Sequence, residues 1–365
     1  MAGVKPKKQS KARFKILYQI LVTMYIVALI PLGGLWYISI YKSRADWTAN
    51  IMQNLIMSTE ALTMSIDEWT AMNLSAIEQN AKTPAILSMD SDLQNPVLKS
   101  MTDTYKWVYL AFTVLPNGQN LGRSDGKATR YYGDRNYFKQ VVEGKEIGQQ
   151  VLIGKTSKKP AFILAKPIVG GGGKNLGVIA IAMSLEDLSK TVTKTRIGKT
   201  GYALLLDDNY RLIAHGKGAI ASELQDYSFH PALKSQNRAK KKTFIFDVKG
   251  KKIVAYSKRT KQGWHLIVQQ DYEEAYRAAN KTQQNTIYLL AITFLIVALV
   301  AYLLARRLSI PIRNLTAIAN EISRGKGLKH KLEASSNDEI GDLYTSFELM
   351  RKSVVKLIKM VRKNK

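Results

Sequence analysis

ILYQILVTMYIVALIPLGGLWYISIY (residues 16–41) and TIYLLAITFLIVALVAYLLA (residues 286–305) decide the architecture of this chain. Neither run carries a charge. Each is long enough to cross a hydrocarbon layer of ~30 Å, which takes about 20 helical residues. Pro31, Gly33 and Gly34 fit such a segment, because both residue types are common in membrane helices. Lys5, Lys7, Lys8, Lys11, Arg13 and Lys15 precede the first run, with no acidic residue among them. Arg306, Arg307 and Arg313 follow the second. Cationic flanks stay on the cytoplasmic side, so both ends are expected inside and the stretch between the runs outside. The first run is too long for a cleaved leader, and no small-x-small site follows it, so it is expected to remain as an anchor. The predicted layout is a basic tail (1–15), a first span (16–41), an external domain (42–285), a second span (286–306) and a helical cytoplasmic segment (307–365).

Charge follows this layout. Of the net +27, the tail holds +6 and the residues from Ala301 onward +8, which leaves +13 for the rest, almost all of it external. Such an excess points to anionic surroundings or ligands, or to a solvated basic surface. It is not gathered into a nucleic-acid footprint, and no nucleic-acid partner is expected. The sequence has no cysteine, so disulfides and thiol chemistry are excluded. Its four histidines, His215, His230, His265 and His330, lack ligand-like spacing, so neither metal nor cofactor is expected. The glycine run 170–173 has no following Lys-Ser/Thr and reads as a hairpin tip, not a phosphate loop. The basic run 238–242 reads as a solvated loop, and Asp207 and Asp208 as turn residues. No catalytic motif occurs, and an enzyme is not expected.

The external region opens with a predicted helix over 43–82, from the helical spacing of Ile51, Leu55, Leu62, Ile66, Trp69, Leu74 and Ile77, broken near Pro84. At 1.5 Å per residue it would reach ~60 Å, longer than one small domain. Strands follow. Residues 108–114 lead into a turn at Pro116-Asn117-Gly118, a strong hairpin signal. Residues 161–168 and 176–183 flank the glycine run. A second copy is predicted from 202–206, a turn at 207–209, 211–214, a hairpin of 244–248 with 252–256, and a last strand over 264–269. The last strand feeds a helix from Tyr272 that is expected to continue straight into the second span. Together these predict two small antiparallel α+β units, 91–195 and 196–284, behind a long helix within 42–90.

In the segment Tyr131-Tyr132-Gly133-Asp134-Arg135-Asn136-Tyr137-Phe138, a guanidinium fork suited to carboxylates stands among aromatic walls. It reads as a pocket for a small organic anion. The plainer reading makes Tyr137 and Phe138 core anchors and pairs Arg135 with Asp134. The candidate ligand-contacting residues are Arg135, Tyr137, Phe138, Tyr131, Tyr109 and Trp107. After the second span, Ile312, Leu315, Ala319 and Ile322 step by 3, 4, 3, starting a new segment at Pro311. Beyond Gly325-Lys326-Gly327, residues Ile340, Leu343, Phe347, Met350, Val354, Leu357 and Val361 keep a strict 3, 4 alternation, the mark of a coiled-coil seam.

These residues carry two resemblances. Asp134-Arg135-Asn136-Tyr137-Phe138-Lys139 with Gly144, Lys159-Pro160 to Lys166-Pro167-Ile168, and Gly177-Val178 to Ser184-Leu185-Glu186-Asp187-Leu188 resemble the distal half of the double Cache sensors. Gly198-Lys199-Thr200-Gly201-Tyr202 to Ala214-His215, with Gly263-Trp264, resemble the membrane-near half. The likeness covers roughly residues 45–280 and implies two stacked PAS-like domains. Amino-acid-binding members hold the carboxylate with an Arg-x-Trp-Tyr segment, matched here by Arg135, with Tyr137 and Phe138 replacing Trp and Tyr. The position of their ammonium-binding Asp falls on Ala182, so an anionic or neutral ligand is expected in place of a standard amino acid. Residues 307–360 resemble a HAMP domain, with Pro311 opening the first helix, Leu332 in the connector and Asp338-Glu339-Ile340-Gly341 opening the second. This implies a parallel four-helix bundle in a homodimer, with Pro311, Glu339, Gly341 and Phe347 as signalling positions. The resemblances together imply a bacterial inner-membrane receptor of the chemotaxis kind. The alternatives are the sensory part of a histidine kinase or cyclase, and a scaffold. Residues 307–365 have no room for an output domain, so output is expected on a lost continuation or on a separate cytoplasmic partner.

Overall fold

The computed structural model describes residues 16–194, 197–218, 223–235, 244–323 and 337–363. The chain falls into two compact units. One is Ala45–Ala279; the other joins Met1–Arg44 with Asn280–Lys365. The basic tail, the run 238–242, His330, and the connector with Gly325, Gly327 and Leu332 lie outside the described residues.

Helix α1 (Ile16–Tyr37) passes through a π-helical turn (Ile38–Lys42) into α2 (Ser43–Ala81). Residues Leu55, Thr59, Leu62, Thr63, Ile66, Thr70, Asn73, Ala76, Ile77 and Ala81 of α2 are buried, at spacings that keep them on one stripe. Its buried threonines cost little, because the hydroxyls of Thr59, Thr63 and Thr70 each donate to the carbonyl four residues back. Thr83 is extended ahead of Pro84, as the residue before proline prefers, and this ends the helix. Two shorter helices follow, α3 (Pro84–Leu87) and α4 (Ser91–Thr104). Asp90 caps α4 by accepting the Asp92 N–H at 2.9 Å.

The first sheet comprises β1 (Val108–Val114), β2 (Asn120–Arg123), then, after helix α5 (Asn136–Val142), β3 (Gly148–Ile153), β4 (Pro160–Val169) and β5 (Asn175–Ser184). Its order is β2-β1-β5-β4-β3, with every pairing antiparallel. Gly118 takes the turn between β1 and β2 at φ 85°, and a Cβ there would meet the Gly133 backbone at 2.6 Å. Helix α6 (Leu185–Lys194) leads to the second sheet: β6 (Tyr202–Leu206), β7 (Leu212–His215), then, after α7 (Pro231–Ser235), β8 (Ile245–Val248), β9 (Lys251–Arg259) and β10 (His265–Asp271). Its order, β7-β6-β10-β9-β8, repeats the first.

One apolar core runs from α2 into both sheets, with Leu62, Ile66, Phe162, Ile181, Leu205 and Leu266 among its members. The Phe162 and Trp264 rings meet edge to face at 4.5 Å and join β4 to the segment opening β10. Burying an aliphatic side chain such as Ile66 contributes about 1.5–3 kcal/mol, so this shared core holds the two sheets and α2 as one body. Each sheet has a second cluster on its other face, around Phe112, Tyr137 and Ile163 in the first and around Leu204, Leu233 and Ile267 in the second.

Two expectations need correction. The helix after β10 does not run straight on: α8 (Tyr272–Ala275) stops, Tyr276 leaves helical geometry, and α9 (Arg277–Ser323) begins afresh. Tyr276 is buried there and its hydroxyl donates to Thr48 at 3.0 Å, a contact that fixes the break. Nor does Pro311 start a new segment. It lies inside α9, which continues to Ser323. A proline in a helix interior forfeits one backbone bond and crowds the carbonyl four residues back, a cost that the neighbouring turns have to carry. Here helical turns continue on both sides, and the Thr316 hydroxyl donates to the Ile312 carbonyl in the turn that follows. The helical run Tyr18–Ala81 and α9 are long and apolar enough to cross a membrane, and they leave large side chains exposed, Ile30 at 72% and Leu295 at 66%. In α10 (Glu339–Lys363), Asp338 caps the start by accepting the Ile340 N–H at 3.1 Å. Glu339 is exposed, Gly341 buried and Phe347 half-buried. Leu343, Met350 and Leu357 of the heptad are exposed.

Candidate ligand-binding site

A pocket opens on the face of the first sheet that points away from α2. Leu110, Ala182 and Ile163 lie side by side on β1, β5 and β4 and form its floor. The floor is set by an irregularity in β1 between Val108 and Leu110. Without it, alternation would put Trp107 and Tyr109 on one face. With it, Tyr109 reaches the pocket, while Trp107 packs against the shared core and donates its indole N–H to Asn73 of α2 at 2.8 Å.

The walls come from two loops. The segment before α5 supplies Tyr132 and Arg135, and the first turn of α5 supplies Tyr137. Phe112 holds both rings, with centroids 4.9 Å from Tyr132 and 6.2 Å from Tyr137. Tyr132 is fixed further by the buried Arg123, whose Nη1 donates to its hydroxyl at 2.9 Å. Gly148 starts β3 directly under α5, where a Cβ would come within 2.0 Å of the Tyr137 carbonyl oxygen. The loop after β3 supplies Gly154, Lys155, Thr156 and Ser157. Lys155 straps this loop down, donating to the Tyr131 carbonyl at 2.8 Å and to Asp134 Oδ1 at 2.7 Å. Burial pushes the Asp134 carboxyl up, but the hydrogen bond and charge of Lys155 outweigh it and hold the group below its usual value. Arg135 Nε lies 3.9 Å from Asp134 Oδ2, beyond hydrogen-bond length, so its fork is not consumed there.

Of the sequence candidates, Tyr109, Arg135 and Tyr137 line the pocket. Phe138 is buried in the neighbouring cluster, Trp107 faces the core, and the Tyr131 ring is more than half exposed. The residues that sequence reading missed are Lys155, Thr156 and Ser157. They sit in a polar turn some twenty positions along, brought back by the β3–β4 hairpin, and no local signal marks them.

The interior is narrow, about 30 Å³ of free space within about 360 Å³ counted out to the open mouth. Arg135 and Lys155 line it, and no carboxylate does. Lys155 is already paired with Asp134, which leaves the Arg135 fork as the available charge. Two buried hydroxyls there, Tyr137 Oη and Thr156 Oγ1, have no hydrogen-bond partner among the described residues. Burial pushes the Tyr137 phenol well up, so it stays neutral and can donate. A buried polar atom left unpaired costs about 1–3 kcal/mol, which a ligand oxygen would recover. No group of His, Asp or Glu that could hold a metal ion occurs among the described residues.

The outer edge of β3 touches the second sheet. Arg211, at the turn before β7, donates to the Val151 carbonyl at 3.2 Å and is itself held by the buried Asp207 at 2.6 Å. Gln149 Nε2 donates to the Gln262 carbonyl at 2.8 Å.

Two like-ordered antiparallel sheets behind one long helix, with a pocket on the first, define a Cache domain, and the chain belongs to that family: residues 40–279 match it. Residues 303–356 match the HAMP domain. Among curated proteins, the methyl-accepting chemotaxis protein TlpA of Bacillus subtilis is 30% identical over 243 residues, 63% of this chain and 35% of TlpA. The chain spans about half of TlpB from the same organism, at 23% identity. Among solved structures, the ligand-binding domain of the Pseudomonas fluorescens chemoreceptor CtaA, in complex with L-leucine, has the same fold. Its TM-score is 0.51 and its identity 17%, covering 62% of this chain and 97% of that one.

Proposed function

We propose that this chain is the sensing and membrane-crossing part of a chemotaxis-type receptor. A small organic anion binds in the pocket of the first sheet. The second sheet passes the change through α8 and α9 to the HAMP segment of a homodimer. The layout proposed is that of the sequence: spans at 16–41 and 286–306, the sensor domain outside the bacterial inner membrane, and both termini in the cytoplasm. The kinship to chemotaxis proteins favours this over a kinase, a cyclase or a scaffold. The exposed heptad side chains of α10 support a seam shared with a second copy, in which Pro311, Glu339, Gly341 and Phe347 are the signalling positions. No catalytic role is proposed, and output lies with a cytoplasmic partner or with further sequence.

The observation that carries the ligand class is the lining: the Arg135 fork beyond hydrogen-bond reach of Asp134, two unpaired hydroxyls and no carboxylate. Arg135 would take a carboxylate in bidentate fashion. An α-ammonium would have no counter-charge, a heavy cost in a closed pocket. Relatives in the fold family have been solved with asparagine and L-leucine; Ala182 in the floor is the reason to expect a different preference here.

The test is calorimetry on the full chain in detergent micelles with pairs that differ only at C2, lactate against L-alanine and 2-hydroxy-4-methylpentanoate against L-leucine. In at least one pair the hydroxy acid should bind tenfold or more tightly than its partner. Arg135→Ala should weaken it by about 2–5 kcal/mol while the melting temperature holds. Amino acids binding as tightly as their hydroxy partners would overturn the reading.

A further inference from the structure

The roomiest of the cavities described here is not the pocket on the first sheet. It is a cleft with about 390 Å³ of free space, bounded by three parts of the Ala45–Ala279 unit. Asp67 and Thr70 of α2 form one wall, Lys145 and Gln149 at the α5–β3 junction the second, and Lys261 and Gln262 of the β9–β10 turn the third.

Part of its polar chemistry is already committed. Asp67 Oδ1 accepts the Lys261 N–H at 3.0 Å, and Gln149 holds the Gln262 carbonyl. Gln140, which also lines the cleft, accepts the Gln149 N–H at 2.9 Å. These bonds fix the backbone of all three walls. What remains is specific. Gln262 Oε1 is buried with no hydrogen-bond partner among the described residues. The ammonium groups of Lys145 and Lys261, one on each sheet's side, make no ion pair among the described residues, and both residues are exposed. Asp67, the only carboxylate in the lining, is held against its wall by the Lys261 N–H, so two ammonium groups stand against one carboxylate.

We propose that this cleft is a second small-molecule site, separate from the pocket on the first sheet, for a hydroxy-dicarboxylate. Two carboxylates answer the two lysines, which stand on opposite walls, and a hydroxyl between them donates to Gln262 Oε1. A charge-assisted contact to each ammonium and one hydrogen bond to a buried acceptor are the interactions that such a molecule supplies and that a monocarboxylate or a plain polyol does not. Because the walls belong to both sheets and to α2, an occupant ties together parts that the ligand pocket touches on one side only.

The experiment uses the full chain in detergent micelles, in an Arg135→Ala background so that binding at the first pocket does not contribute. L-malate is titrated by calorimetry, with succinate, which lacks the hydroxyl, and glycerol, which lacks both carboxylates, as comparison probes. Emission from Trp69 and Trp264, which adjoin the cleft in sequence, is recorded in parallel. One malate should bind per chain. Succinate should bind at least fivefold more weakly, and glycerol not measurably. Lys145→Ala combined with Lys261→Ala should abolish malate binding without changing the melting temperature, since both residues are exposed. Gln262→Leu should bring malate down to the affinity of succinate. Absence of malate binding in the Arg135→Ala background would overturn the proposal, as would binding that the double lysine variant leaves intact. Neither outcome depends on which ligand fills the first pocket.

Discussion

The two sheets have the same strand order and share one core, yet their outward faces differ. On the first, Tyr109, Tyr137 and Arg135 stand around a floor of small and aliphatic residues, and the space between them stays open with two hydroxyls unpaired. On the second, Ala232 and Leu233 of α7 pack onto Leu204, Leu212, Ile253 and Ile267. Two polar groups beside α7 find partners inside the protein: His230 Nε2 pairs with Gln269 Oε1 at 2.8 Å, and Ser257 donates to the Ala232 carbonyl at 2.9 Å, while His265 Nδ1 on β10 has no hydrogen-bond partner among the described residues. Burial depresses the His230 imidazole, which suits a neutral ring inside this packing. The same scaffold thus makes an open face where its loops carry cations and aromatics, and a self-filled face where one short helix supplies leucine. What decides between them is the chemistry of the segments laid over the sheet.

If this contrast is sound, the largest effect comes from unfilling the second face. Leu233→Ala should destabilise the chain by about 2–4 kcal/mol, measured by chemical denaturation, with ligand affinity in the first pocket unchanged. A loss of affinity comparable to that of Arg135→Ala would mean that the two faces are not separable. A smaller effect is expected from adding the missing charge to the first face. Ala182→Asp should shift preference from hydroxy acids toward amino acids by about tenfold, or 1.4 kcal/mol, in the paired titrations. An unchanged ratio would show that Ala182 does not set ligand class.

The smallest effect concerns pH and the second half alone. Glu274 of α8 accepts the backbone N–H groups of Lys199 and Thr200, each at 2.7 Å, and the Thr200 hydroxyl. The Thr200 hydroxyl above all lowers its pKa to about 2, against a smaller opposing push from burial. A carboxyl depressed on folding contributes stability above its unfolded value near 4.5, and that contribution is lost as pH falls toward 2. Melting temperature should therefore decline over that window, and Glu274→Gln should flatten part of the decline. Equal slopes for the two proteins would remove Glu274 from the account.

Much of this was readable from local chemistry. The Asn117-Gly118 turn, the strands on either side of the glycine run and the end of α2 before Pro84 follow from residue types whose backbone preferences act over a few positions. The features that misled are those where a distant contact wins. The irregularity in β1 turns Trp107 toward Asn73 and cannot be seen in VYLAFTV. Lys155 reaches Asp134 only because the hairpin folds back. Pro311 carries a strong local signal for a helix start, yet the helical turns on both sides carry α9 through it. Arg135 was legible because guanidinium among aromatics is informative by itself; the hydroxyl of Thr156 was not, since an isolated threonine in a turn looks like any other.

Strand β3 is an edge strand, bonded to β4 on one side and met on the other by the guanidinium of Arg211. Its far end runs into the loop that closes the ligand pocket. Thermodynamic reciprocity then sets a rule for this molecule. If a ligand shifts the position of β3 in which Arg211 reaches Val151, that position must shift ligand affinity by the same factor. Such a coupling would run through β3 and through Gln140 of α5, which accepts the Gln149 N–H on the same edge, whereas Leu110 and Ala182 of the floor lie on strands that do not pair with β3 and are free to diverge.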